Sequence, residues 1–205
     1  MRGSLSVPVI VEAAFRVLEQ SGLNGVTARA VAAELGVRPS ALYHHLSDMA
    51  TLLDEMATQV RREMVNGAAS TWADVLRATG HEVRRVLLSH RDGGRLFAGR
   101  RLRDPALLVL MEEPLQILVD AGLTLEAAIS ALQAVLDLTV GFVIEEQHRA
   151  SGESGEYDPE LRRLLVPAER YPLTAAASAP LFASADKRFE AELGFVVAGV
   201  GTVVS

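Results

Sequence analysis

Five side chains that carry hydrogen-bond donors lie in one stretch near the start of the chain: Arg29, Arg38, Tyr43, His44 and His45. A guanidinium group can present two donors to a phosphate or to the edge of a guanine. A tyrosine hydroxyl suits a phosphate oxygen, and a histidine ring can donate to a phosphate or to a base edge. These residue types indicate contact with nucleic acid, and a solvated helix face is the alternative for the two histidines.

Two other groupings suggest catalytic chemistry. Glu145 and His148 have the Glu-x-x-His spacing of di-iron helical bundles, but such a site needs a second pair and further carboxylates. Ser89, His90 and Asp92 are too close in sequence to converge as a triad on a regular helix. We therefore expect no enzymatic activity, no metal site and no cofactor.

Composition narrows the class of protein. The chain has 205 residues, of which 49% are hydrophobic and 22% charged, as is typical of globular proteins. The absence of cysteine excludes disulfides and thiolate metal sites and is typical of a reducing cytoplasm. No charge-free apolar segment reaches the ~20 residues of a membrane span, so we expect a cytoplasmic protein with no membrane partner. The net charge of −6 falls on residues 51–205, whereas residues 1–50 are neutral.

The hydrophobic pattern predicts an all-α protein. Apolar residues recur at three- and four-residue spacing, and no sustained alternation of period two is found. Capping and helix-breaking residues place helices at about residues 6–21, 27–35, 39–46, 49–64, 71–89, 104–121, 124–150 and 186–204. The acidic segment 151–160 is expected to be an exposed loop, and prolines limit residues 167–180 to short helices.

Residues 27–46 predict two short crossed helices joined by a turn at Gly36. This is helix-turn-helix geometry, in which the second helix enters the major groove and the first braces it across the phosphates. An ordinary corner between two helices is the alternative. The apolar positions expected to face the common core are Val31, Leu35, Val37 and Leu42.

Longer segments resemble a known family. VTARAVAAELGVRPSALYHHLSDMATLLDEM, residues 26–56, resembles the DNA-binding domain of the TetR family of bacterial repressors. LLSHRDGGRLFAGRR and GLTLEAAISALQAVLDLTVGFVIEEQ resemble the regulatory domain of the tetracycline repressor branch. The resemblance implies a helix-turn-helix domain over residues 1–48, a connecting helix over 49–66 and an all-helical ligand-binding and dimerisation domain over 67–205.

Matching the family pattern position by position implies which residues contact DNA. They lie at the start of the bracing helix and on the exposed part of the recognition helix: Thr27, Ala28, Arg29, Arg38, Pro39, Ser40, Ala41, Tyr43, His44 and His45. Asp48 and Met49 depart from the pattern, because the family usually places a lysine at the start of the fourth helix. We therefore expect modest non-specific affinity for DNA.

The resemblance also implies a homodimer that binds a palindromic double-stranded operator. The helices at 124–150 and 186–204 match the two that form the family's intersubunit four-helix bundle, and burial of both within one subunit is the alternative. The residues expected at the interface are Leu132, Leu136, Val140, Phe189, Leu193, Val196, Val197 and Val200.

The ligand site departs most from the tetracycline-binding members. Phe97 stands where those members have the metal-binding histidine, Val65 replaces another drug-contacting histidine, and Glu145 remains at the position of a metal-associated glutamate. We expect a more apolar effector than magnesium-tetracycline. The expected effector-binding residues are Val65, Thr79, Val83, Leu87, Phe97, Arg100, Arg101, Pro114, Val135, Glu145 and Gln147.

The function expected is therefore a transcriptional repressor that a small-molecule effector releases from DNA. The resemblance also implies that the fourth helix and the segment from Asp92 to Arg103 couple effector binding to DNA binding. The sequence leaves two alternatives open: a dimeric DNA-binding protein without a ligand, and a helical small-molecule-binding protein or enzyme.

Overall fold

The computed structural model describes residues 5–65, 67, 69–150 and 165–204, and every regular element in those ranges is helical. The predicted all-α class is confirmed. The predicted loop at 151–160 lies outside the described residues.

The N-terminal part is a three-helix unit followed by a longer helix. The side chains of Ile10, Leu18, Val31 and Leu42 are buried at its centre. A proline in the first turn of the first helix and a glycine after its last residue bound that helix, as the sequence predicts. The elements are α1 (Val7–Ser21), a 3₁₀ turn (Leu23–Gly25), α2 (Ala28–Leu35), α3 (Pro39–Leu42) and α4 (Met49–Arg62).

The recognition helix is shorter than predicted. α3 ends at Leu42 rather than at Leu46, and the chain continues through hydrogen-bonded turns. The amide of His45 donates to the carbonyl of Leu42 at 3.0 Å, the tighter spacing of a 3₁₀ turn, which often ends an α-helix. Tyr43, His44 and His45 therefore lie on this tightened turn.

The remaining helices of the described residues lie C-terminal to α4, in the part of the chain that we call the regulatory half, after the role that the resemblance implies for residues 67–205. The predicted helix at 104–121 is two helices, because Pro114 has no amide hydrogen to donate to the carbonyl of Leu110. The elements are α5 (Trp72–Leu88), α6 (Gly93–Phe97), α7 (Ala106–Val109), α8 (Glu112–Asp120), α9 (Leu125–Ala150), α10 (Pro172–Ala176), α11 (Ser178–Leu181) and α12 (Ala185–Gly201).

Helix α9 lies at the centre of the regulatory half and packs against α5, α6, α8 and α12. It is apolar over 18 residues, with a mean hydropathy of 1.9, and a third of that window is buried. Length and hydropathy alone would allow a membrane span, contrary to the sequence expectation, but the central helix of a globular protein has the same properties. Its contacts with four other helices account for the buried third of this apolar window.

Two hydrophobic cores hold the molecule together. The first contains Ile10 of α1, Met56 of α4, Leu87 of α5 and Val143 of α9, so it extends from the N-terminal unit into the regulatory half. The second lies between α5, α8, α9 and α12 and includes the fully buried Phe189. Because the first core is shared, the N-terminal unit is packed against the regulatory half.

Replacing Phe189 by alanine tests the second core. Its ring lies 5.1 Å from that of Phe142, centroid to centroid, so truncation leaves a large void. We expect Phe189→Ala to lower the free energy of unfolding by about 3–5 kcal/mol, measured by urea denaturation. Leu173→Ala is the control, since Leu173 is 85% exposed, and its effect should stay within about 0.5 kcal/mol. Equal losses in the two variants would contradict the assignment of Phe189 to the core.

Candidate nucleic-acid interface and ligand cavity

Caps at both ends of α2 build the helix-turn-helix. The Thr27 hydroxyl accepts a hydrogen bond from the Ala30 amide at 3.2 Å, which satisfies one free amide of the first turn. At the other end Gly36 has a φ of 65°, and its amide donates to the Ala33 carbonyl at 3.1 Å. This left-handed residue ends α2 and turns the chain so that Leu42 of α3 is buried against it.

The sequence-predicted DNA-contacting residues lie at the surface of this unit. Arg29 and Arg38 form no ion pair with any described residue, whereas the neighbouring Arg16 is held by Glu12 at 2.9 Å and Glu34 at 2.6 Å. Both guanidinium groups therefore remain available to a ligand. Ala28 and Ala41 are half-buried, and the exposed members of the set are Thr27, Arg29, Arg38, Pro39, Ser40, Tyr43, His44 and His45.

Asp48, at the position where the resemblance places a lysine, caps α4. Its Oδ1 accepts a hydrogen bond from the Thr51 amide at 2.7 Å. This bond lowers the pKa of the Asp48 carboxyl, so the group is charged at neutral pH. The residue therefore fixes the start of α4 and adds a negative charge where the resemblance places a positive one.

A cavity of about 480 Å³ lies in the regulatory half. α5 and α9 line it, together with α6, α7, α8 and the end of α4, and its walls are mainly apolar. The volume is in the range of pockets that hold drug-sized molecules. Five of the expected effector-binding residues line this cavity: Val65, Thr79, Val83, Phe97 and Pro114.

Six other expected effector-binding residues lie elsewhere. Leu87 and Val135 are fully buried in the two hydrophobic cores. Arg101 is exposed, and Arg100 is half-buried outside the cavity lining, with an Nε that has no hydrogen-bond partner among the described residues. Glu145 is exposed on α9, where its carboxylate lies 3.9 Å from Nε of an arginine one turn later.

Gln147, the sixth of these residues, connects the start of α6 to α9. Its amide oxygen accepts a hydrogen bond from the Gly94 amide at 3.2 Å, and its amide nitrogen donates to the His90 carbonyl at 2.8 Å. A Cβ on Gly94 would lie 2.9 Å from the Ile144 side chain, so only glycine lets α6 approach α9 this closely. Gln147 therefore holds the start of α6 against α9.

Several polar residues of the cavity wall were not predicted from the sequence. Arg61 is the least expected, because it is a cation at the end of α4 with apolar surroundings. Arg61 lies four residues after Ala57 and three residues before Met64, and both of these residues are buried. Because residues three and four apart share one face of a helix, this spacing was the available signal that Arg61 faces inward. The other polar lining residues not predicted are Glu82, Arg103, Asp104, Glu113 and Gln133.

Hydrogen bonds connect the start of α6 to the end of α1, and we call them the interdomain contact. The Asp92 carboxylate accepts from the Leu23 amide at 2.7 Å. Arg91 Nη1 donates to the carbonyls of Glu19 and Gln20 at 3.0 Å each, which are among the carbonyls left free at a helix end. Asp92 has a φ of 54°, an uncommon conformation for a residue with a side chain.

A second set of bonds connects α4 to the segment that follows α6. The Asp54 carboxylate accepts from the Arg101 amide at 3.3 Å, and the Thr58 hydroxyl accepts from the Arg103 amide at 2.8 Å. Phe97, which lines the cavity, is the last residue of α6. The cavity wall is therefore bonded on one side to α1 and on the other to α4.

The residues expected at a subunit interface fall into a buried group and a half-buried group. Phe189, Leu193 and Val197 are buried in the second core, where a partner chain could not reach them, because this apolar face of α12 packs against α5 and α9 of its own subunit. Phe195, which the sequence reasoning did not include, is 79% exposed on the same helix. The half-buried members of the expected set are Leu132, Leu136, Val140, Val196 and Val200.

Comparison with known proteins matches both halves of the chain. Residues 10–56 match the family described as bacterial regulatory proteins, tetR family, and residues 66–204 match the family described as tetracyclin repressor-like, C-terminal domain. The tetracycline repressor protein class A from transposon 1721 of Escherichia coli is 33% identical over 199 residues, covering 93% of this chain and 88% of that protein.

Two solved structures share the fold along almost the whole chain. A possible TetR family transcriptional regulator from Streptomyces coelicolor A3(2) is 31% identical with a TM-score of 0.83, covering 96% of this chain and 99% of the other. The Streptomyces coelicolor TetR family protein ActR in complex with actinorhodin is 25% identical with a TM-score of 0.87, covering 99% and 100%.

Removing the Asp92 carboxylate tests the interdomain contact. In Asp92→Ala the Leu23 amide loses its acceptor, so we expect its hydrogen exchange to become about tenfold faster or more, measured by NMR. The amide of Leu18, within α1, should keep its rate. Asp92→Asn retains an acceptor oxygen and is the matched control. An unchanged Leu23 rate in Asp92→Ala would contradict the contact.

Proposed function

Because this chain belongs to the TetR family of DNA-binding transcriptional regulators, we propose that it is a repressor that binds a palindromic operator as a homodimer. A small-molecule effector, more apolar than magnesium-tetracycline, would release it from DNA. The observation that carries this proposal is the bonding of the cavity wall to both α1 and α4, the two helices that hold the helix-turn-helix unit. We place its action in the cytoplasm, as expected of a cysteine-free DNA-binding protein.

The exposed surface of the helix-turn-helix unit supports DNA binding. Arg29 and Arg38 are free of carboxylate partners among the described residues, and Tyr43 is 49% exposed beside two exposed histidines. Guanidinium groups suit both phosphates and guanine edges. The neutral charge of residues 1–50 and the Asp48 carboxylate reduce general attraction to DNA, so affinity depends on these few contacts.

The chemistry of the cavity supports an effector other than magnesium-tetracycline. An aromatic ring, Phe97, and an aliphatic side chain, Val65, line the cavity at the positions where the tetracycline-binding members have histidines. Neither group can ligate a metal ion. The cavity also disfavours the alternative of a DNA-binding protein without a ligand, since a volume of about 480 Å³ is far larger than ordinary packing defects.

The proposed release mechanism is a shift between two arrangements of the dimer. A ligand in the cavity contacts Phe97 of α6 and residues at the end of α4, and it shifts the equilibrium only if it binds one arrangement more tightly. α6 is bonded to α1 through the interdomain contact, and α4 begins at Met49, just after its cap Asp48 and the helix-turn-helix. A changed position of either helix changes the spacing of the two recognition helices, so effector and DNA oppose each other.

The exposed faces of α9 and α12 support a homodimer. Phe195 on α12 is a large apolar side chain that is 79% exposed. A Cβ added at Gly141, Gly194 or Gly199 would meet nothing within 4 Å, so the surface there is open to a closely approaching helix. Two recognition helices related by a two-fold axis can occupy two half-sites about one turn of DNA apart.

Removing the two free arginines tests the DNA-binding proposal. The purified protein first selects duplexes from a randomised library, and we expect a recovered palindrome. For that duplex, the double variant Arg29→Ala, Arg38→Ala should bind roughly tenfold more weakly or worse. The slope of log affinity against log salt, measured by fluorescence anisotropy, should fall by about one for each phosphate group that the variant no longer binds.

Arg77→Ala removes an exposed arginine of α5 and is the matched control, which should leave both affinity and salt slope unchanged. No enriched sequence at low salt would contradict the DNA-binding proposal, and so would a double variant that behaves like Arg77→Ala.

Placing a charge on α12 tests the homodimer. Phe195→Glu would bury a carboxylate in the proposed interface, so we expect the dissociation constant of the dimer to rise by at least about a hundredfold, measured by sedimentation equilibrium. Leu173→Glu puts the same charge at an exposed leucine of α10 and should leave the dimer intact. A Phe195→Glu variant whose dimer has the same dissociation constant as the wild-type dimer would contradict this interface.

A further inference from the structure

Arg61 is a cation in the cavity wall without an anion beside it. Its side chain lines the cavity and is half-buried. Its guanidinium donates to the Met64 carbonyl through a long bond of 3.4 Å, and no carboxylate of the described residues lies within ion-pair distance. Burial lowers the pKa of Arg61, which is the effect of removing a cation from water without a compensating charge.

Of the four other charged groups in the described cavity wall, all but Glu113 are paired with charged groups outside it. The Glu82 carboxylate accepts two hydrogen bonds from Arg85, each of 2.8 Å. Asp104 pairs with Arg62 at 2.9 Å, and Arg103 lies 3.5 Å from a carboxylate of Asp54 on α4. Glu113 is an exposed carboxylate of α8, in contact with water. Arg61 is therefore the cation within the described lining that lacks a charged partner.

We propose that the effector is an apolar molecule that carries one anionic group, and that this group pairs with Arg61. The inference assigns the ligand class of the cavity and thus rests on the proposed function. A guanidinium is always charged in proteins and can bind a carboxylate or sulfonate through two parallel hydrogen bonds. The apolar walls, Phe97 and Val83 among them, receive the rest of the molecule.

The position of Arg61 gives the anion a direct connection to DNA binding. Arg61 is the penultimate residue of α4, and the same helix begins at Met49, capped by Asp48, beside the helix-turn-helix unit. An anion bound at Arg61 therefore holds the end of the helix whose position sets the helix-turn-helix unit. An uncharged ligand of the same shape would lack this attachment.

A pair of fluorescent probes tests the proposal. 8-Anilinonaphthalene-1-sulfonate and N-phenyl-1-naphthylamine have the same ring system, and only the first carries an anionic group. We expect the wild-type protein to bind the sulfonate about tenfold more tightly or better, in fluorescence titrations at equal ionic strength. The sulfonate should also displace the neutral probe, which places both in one cavity.

Variants of Arg61 test whether its guanidinium group causes the preference for the sulfonate probe. Arg61→Met should remove the preference for the sulfonate and leave the affinity for the neutral probe unchanged, whereas Arg61→Lys, which keeps the charge, should retain part of the preference. Arg77→Met is the control for loss of one positive charge elsewhere. Circular dichroism establishes that each variant is folded.

Equal affinities for the two probes in the wild type, or a sulfonate affinity that Arg61→Met does not weaken, would overturn the proposal. The operator selection separates this outcome from failure of the proposed function. Ligand-free Arg61→Met should still select the wild-type palindrome, because Arg61 lies in the cavity wall and not on the helix-turn-helix surface.

Discussion

The hydrogen bond from the Leu23 amide to the Asp92 carboxylate joins the two functional halves of this molecule. Asp92 holds a left-handed backbone conformation at the start of α6, and glycines follow it because α6 lies directly against α5 and α9. Arg91 completes the contact by capping the end of α1. The short helix that carries Phe97 into the cavity is thus fixed to the first helix of the DNA-binding unit. In the proposed release mechanism, this connection transmits a change at the cavity wall to that unit.

Helix α4 provides a second connection, with different chemistry at its two ends. At its start the Asp48 carboxylate caps the helix and places a negative charge where the resemblance places a lysine. At its end Arg61 places a cation among apolar walls. Bonds from Asp54 and Thr58 attach the middle of α4 to the segment after α6. Both connections therefore lead to one short segment, residues 91–103, and the proposed opposition between ligand and DNA depends on that segment.

Much of this arrangement was predictable from the sequence. Helical periodicity, capping residues and Gly36 predicted the helix-turn-helix, since these signals are local. The roles of Gln147 and Arg61 were not predicted, because each depends on which side chains a distant helix brings near. The apolar face of α12 was assigned to a partner, yet Phe189 packs inside the subunit. Periodicity identifies a buried face but not which chain buries it.

The distance between the two recognition helices tests the central claim most directly. The chain has no cysteine, so Ser40→Cys offers one exposed labelling site in each subunit, and double electron–electron resonance of the DNA-free dimer gives the distance between the labels. We predict a narrow distribution with the interdomain contact intact and a broadened or shifted one in the double variant Arg91→Ala, Asp92→Ala. The same distribution in both proteins would contradict the claim that this contact positions the DNA-binding unit.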